Sequence, residues 1–153
     1  MAPTPTPAAI QAFVRQVIGW SQLLQRCADA ALERAHQQLE AGEIGFADYN
    51  DALQQKLAVV KSCVDMTNNA GSVLLAIAET EVAPVVTATK SLDDAAQNLA
   101  GIQDGVLIVT GLVVAAAALA GAVAAPSTAT IGAAGTALYR VAAQVVADAK
   151  VGA

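Results

Sequence analysis

The chain carries 13 acidic against 8 basic side chains in 153 residues, a net charge of -5. That balance argues against a nucleic-acid partner, because neutralising phosphates takes a Lys/Arg patch and the sequence has none. Hydrophobic residues make up 56% and charged ones only 14%, against roughly 25% charged in an ordinary soluble domain. Aromatics add just 3%, so the core must pack backbones closely through Ala, Val and Gly, as helix–helix seams do.

The N-terminal residues 1–7, Met-Ala-Pro-Thr-Pro-Thr-Pro, lack both a basic start and an apolar run. They read as an extended tail, not a secretory signal. The expectation is synthesis in the cytoplasm without a signal peptide, followed by membrane association or a leaderless route out of the cell. Residues 8–153 are expected to form a single domain.

Thr6-Pro7 suits the start of a helix, with Pro at its first position. Ile10, Phe13, Val17, Leu24, Cys27, Ala31, Ala35 and Leu39 then recur at helical spacing, and Gly42 is a natural stop. This predicts a first helix over about 8–41. A tight connector at residues 42–46 forces an antiparallel return. The second helix starts near Ala47 and carries an apolar stripe of Phe46, Tyr49, Leu53, Leu57, Val60 and Val64. It runs towards Ala83, with a weak spot at Asn68-Asn69-Ala70-Gly71.

Folding this hairpin (8–83) about Gly45 sets a register. Cys27 comes level with Cys63, Gly19 with Gly71, Arg26 with Asp65 and Glu33 with Lys56. Paired glycines would let the backbones approach. Opposed cysteines would either form a disulfide or pack as two small core residues, the second being the commoner fate of free Cys. Two cysteines are too few for a disulfide scaffold or a zinc site.

Val85 to Lys90 reads as a connector or a continuing helix. Ser91 with Asp93-Asp94 resembles a helix cap with acids in the first turn. This predicts a third helix from about Leu92 to Ala125, amphipathic at first and apolar all round after Asp104. Gly105 to Tyr139 contains no charged side chain. After Pro126, Ser127 or Thr128 caps a fourth helix over about 129–150. Folding this second hairpin (91–150) about residues 126–127 places Gly121 opposite Gly132, and Asp104 near Lys150. The fold expected is therefore all-α: four helices in two antiparallel hairpins, the second apolar and Ala/Gly-rich.

Chemistry-bearing motifs are missing. His36 is the only histidine and sits near a helix C-terminus, where a solvated imidazole is the plain reading. Asp93-Asp94 and the pair Glu79 and Glu81 diverge around their helices. Gly101, Gly105, Gly111 and Gly121 precede no Gly-Lys-Ser/Thr. No enzyme activity, cofactor, metal or small-molecule substrate is expected.

Val106 to Ala125 is 20 residues long with nine Val, Leu or Ile. It is long enough to span a bilayer's hydrocarbon core, and those nine residues contribute roughly -3 to -5 kcal/mol to insertion, partly opposed by the Ala, Gly and Thr, so insertion is marginal. The residues expected to face lipid or a partner are Val106, Leu107, Val109, Leu112, Val113, Val114 and Leu119 on one arm. On the other they are Ile131 and Leu138, with Tyr139 and Arg140 about 20 Å from the turn, where headgroups would lie. A long polar hairpin joined to an apolar one resembles the general plan of α-helical pore-forming toxins and colicin-type pore domains, over Ser91 to Lys150. That resemblance implies a soluble state storing the hairpin until it meets a membrane. The competing expectation is a soluble homo-oligomer whose core is the hairpin. The partners expected are thus membrane lipid or further copies of the chain.

Overall fold

Helix α1 (Pro7–Glu40) forms because its apolar residues line one face for 34 residues. Val17, Leu24, Cys27, Ala28, Ala31 and Ala35 are all buried on it. It ends in a Schellman turn. Glu43 N donates to Gln38 O (2.8 Å) and Gly42 N to Leu39 O (3.1 Å), with Gly42 at φ +75°, a conformation only glycine adopts without strain. The computed structural model describes residues 7–70 and 82–151. The expectations on Gly71, Glu79 and Glu81, and on helix two beyond residue 70, fall outside the described residues.

Helix α2 (Phe46–Asn69) follows. Its core face is Ala52, Val59, Cys63 and Met66, all fully buried, whereas Phe46 is 71% exposed and Leu57 and Val64 are about half exposed. Of the expected stripe, Phe46, Leu57 and Val64 therefore face outward, while Tyr49, Leu53 and Val60 are half-buried. Both faces of α2 repeat at helical spacing, and packing against α1 and α4 together buried the face of Ala52, Val59, Cys63 and Met66. The register also slips by about one turn of α1. Lys56 pairs with Asp29 (2.9 Å) rather than Glu33, and Arg26 pairs with Asp93 (2.9 Å) rather than Asp65.

The expected third helix is broken. Helix α3 (Ala83–Ala95) starts early, with Pro84 in its first turn, where the missing N–H costs nothing. Ser91 and Asp93-Asp94 lie inside it and cap nothing. A 3₁₀ turn (Ala96–Gly101) and an extended elbow at Ile102–Asp104 separate α3 from α4 (Gly105–Ala124). Asp104, not Ser91, is the cap: its Oδ1 accepts from Leu107 N at 3.0 Å. Helix α5 (Thr128–Val151) begins with a reciprocal box. Thr130 N donates to Ser127 Oγ (3.0 Å) and Ser127 N to Thr130 Oγ1 (2.9 Å).

The chain is all-helical: five α-helices and one 3₁₀ turn among the described residues, where four helices are expected. The most apolar helix, α4, packs against α1, α2 and α5, while α3 packs on α5. Ile108, Val109, Leu112, Ala115, Ala116 and Leu119 bury the inner faces of α4. Burial of this kind stabilises by about 25 cal/mol per Å² of apolar surface.

Candidate functional site

Because α1, α2 and α5 cover three sides of α4, its apolar residues divide. Val109, Leu112 and Leu119 are core, as are Ile131 and Leu138 on α5. Val106 and Val113 are half-buried. Only Leu107 (43% exposed) and Val114 (54%) of the expected α4 residues face outward as large side chains. The exposed strip is completed by Thr110, Ala117, Gly121 and Ala124, each one turn from the next. A helix with no polar face can stand in a bundle because its one uncovered strip, Leu107 and Val114 apart, is made of small residues that expose little apolar area.

Tyr139 (43% exposed) and Arg140 extend this surface on α5. Leu107, Thr110, Gly111 and Val114 meet Ala137, Arg140, Val141 and Gln144 along a shallow groove of about 150 Å³. Gln144 Oε1 is buried at its base with no hydrogen-bond partner. Thr110 Oγ1 has two acceptors within reach of its one proton, Gln55 Oε1 of α2 at 2.7 Å and Val106 O at 2.9 Å. Before Arg140, the exposed residues of α4 and α5 include no charged side chain. The sequence could reveal that these helices are apolar, but not which third of each faces out.

Among the described residues, the glycines expected at helix contacts, Gly19, Gly121 and Gly132, are not at such contacts. A Cβ at Gly19, Gly121 or Gly132 would meet nothing within 4 Å. The close approaches are made by Gly105 and Gly111 instead, and Gly135 has room for a Cβ in ordinary van der Waals contact with Pro84. A Cβ at Gly105 would sit 2.2 Å from Ala31 O and 2.6 Å from Ala35 N. One at Gly111 would be 2.5 Å from Gln144 Oε1, and one at Gly135 3.4 Å from Pro84 O. Helical phase decides this: the open glycines sit on outward strips, the tight ones on seams.

Cys27 and Cys63 are both buried free thiols, so the two do not form a disulfide. The register slip accounts for it, since Cys63 lies beside Ser21 and donates its S–H to Ser21 O at 3.7 Å. Burial pushes the Cys27 thiol up to about 11, partly opposed by Arg26, and pushes Cys63 up as well. Neither is a ready nucleophile. His36 Nδ1 lies 3.4 Å from Glu40 Oε1, and its ring meets Tyr49 edge-on at 5.7 Å. A groove of about 420 Å³ runs between α1 and α3, lined by Trp20, Leu23, Arg26, Val86, Lys90 and Asp93. Its Arg26 and Asp93 neutralise each other. No family model, curated protein or solved structure matches the chain.

Proposed function

We infer that this is a non-enzymatic helical protein that engages a membrane through its α4–α5 hairpin, and that the bundle described above is its stored, water-facing form. In this reading the molecule is two antiparallel hairpins, a polar-backed cover (α1–α2) and an apolar arm (α4–α5). The observation that carries it is the uncharged outer face running along both arm helices. Water is met there only by Leu, Val, Ala, Gly and Thr, up to Tyr139 and Arg140. Tyr and Arg favour the headgroup region, and they lie about 20 Å from the Pro126 turn along α5. Nine Val, Leu or Ile side chains in residues 106–125 make insertion favourable by roughly -3 to -5 kcal/mol. A gain that small leaves storage in a bundle competitive.

The test is flotation of detergent-free protein with liposomes, read with light scattering on the same sample. Co-flotation that survives high salt and carbonate, with release of trapped dye, is the expected result. A monodisperse oligomer left at the bottom of the gradient would sink the membrane reading. That outcome would favour the second reading, a soluble homo-oligomeric interaction protein. One observation speaks for it: Phe46, Leu57 and Val64 of α2 and Ile18 of α1 expose large apolar side chains on the cover, the kind of surface that copies of a chain bury.

A further inference from the structure

Two separate sets of bonds hold the elbow at Ile102–Asp104. The first ties it to α5. Asp148 Oδ2 accepts from Gln103 N (2.8 Å) and Asp104 N (2.9 Å), and Asp104 in turn caps α4. The second ties it to α1. Gln38, itself buried, accepts from Gly105 N through Oε1 at 3.0 Å, and Arg34 Nε donates to Gln103 O at 3.3 Å. Gly105 rests on the α1 backbone at Ala31 and Ala35 with no room for a side chain. The first set lies wholly within the arm and its base. The second crosses from the arm to the cover.

The backbone around these bonds is where a helical chain would bend. A six-residue 3₁₀ turn is longer than the usual run of three or four and often marks a hinge. It gives way to extended conformations at Ile102 (φ -66°, ψ 147°) and Asp104 (φ -118°, ψ 90°). At the far end, the Ser127–Thr130 box makes a short, closed turn between α4 and α5.

We propose that Ile102–Asp104 is the elbow about which α4 and α5 swing out together, and that Gln38 with Arg34 is the catch. This rests on the membrane reading above. Asp148 travels with the arm and keeps its base folded. The Gln38–Gly105 and Arg34–Gln103 bonds break on opening, as do the contacts of α4 with α1 and α2 and of α5 with α3. A bilayer favours the open form because it offers the exposed arm an apolar surrounding that water does not.

The geometry supplies a staple for the test. A Cβ at Gly135 stands 3.6 Å from that of Pro84, within the roughly 3.5–4.5 Å that a disulfide spans. Pro84→Cys with Gly135→Cys, in a Cys27→Ala/Cys63→Ala background, would bolt α5 to α3 when oxidised. The probe is dye release from phosphatidylcholine vesicles containing phosphatidylglycerol. Reduced protein should release dye at the wild-type rate, and oxidised protein at least tenfold more slowly. Oxidised protein releasing at the reduced rate would show that α3 leaves with the arm, and the elbow would fall. If neither the wild type nor either form of the stapled protein floats or releases dye, the membrane reading fails and the elbow falls with it.

A second variant addresses the catch by itself. Gln38→Ala should speed release several-fold in the reduced protein and not at all in the oxidised one. Gln38→Glu, which keeps an acceptor for Gly105 N, should restore the wild-type rate. Equal acceleration by Gln38→Ala in both forms, or failure of Gln38→Glu to rescue, would overturn the catch.

Discussion

The two cysteines show how a single residue's setting outranks its sequence position. Each is small and apolar enough for a helix seam, and each is fully buried. Burial favours the neutral thiol, so the folded protein holds these protons more tightly than the unfolded chain does. The Cys27 value of about 11 lies above its ordinary 9.0. The native state therefore binds more protons between those values, and stability must fall as pH rises through that window, while below it the contribution is complete. Denaturant titrations of the wild type and of Cys27→Ala/Cys63→Ala at pH 8, 9.5 and 11 should diverge by on the order of 2–3 kcal/mol. The wild type should lose the more at high pH. A difference that stays constant from pH 8 to 11 would mean the thiols do not stay neutral by burial.

Among helices, the seams depend on which glycines meet a neighbour. α4 rests on the α1 backbone at Gly105, and α3 meets α5 at Gly135. Gly105→Ala would force a methyl group into the α1 backbone, and we expect it to cost about 2 kcal/mol or more in a thermal or denaturant melt. Gly121→Ala places the same methyl group in open space inside a helix, where removing glycine's extra unfolded-state freedom should stabilise by about 0.5–1 kcal/mol. Similar costs at both sites would mean that α4 is not seated as described. The sequence does not separate these glycines by the space around them. Helical phase against a neighbour separates them, and that phase is a property of the pair of helices.

At the scale of the molecule, α4 has a core face and a water face, and they make opposite predictions for one kind of substitution. Leu112 is fully buried, so Leu112→Asp strands an unpaired charge and should unfold the protein, at a cost above about 4 kcal/mol. Val114 is 54% exposed, so Val114→Asp should leave the melting temperature within a few degrees of wild type. In a bilayer the same aspartate opposes insertion by about 2.5–3.5 kcal/mol, enough to cancel most of the arm's gain. Loss of flotation with an unchanged melt is the expected result. A protein that melts normally and still floats would take the outer face of α4 out of the membrane reading.

What the sequence by itself determined was composition and period: an all-helical chain, α1 with its stop at Gly42, the turn after Pro126, and the uncharged stretch from Gly105 to Tyr139. These follow from local chemistry, from the 3.6-residue repeat, the left-handed glycine and the serine cap. Only the tertiary structure decided the rest. It turned Phe46, Leu57 and Val64 of α2 to water, shifted the first register by about a turn and so parted Cys27 from Cys63. It also broke the third helix at Ile102–Asp104. The break has only weak local signals, Asn98 and Gly101, which disfavour a helix interior, and Asp104, a good N-cap. It exists because Asp148 and Gln38, from helices distant in sequence, satisfy the backbone N–H groups that a bend leaves unpaired.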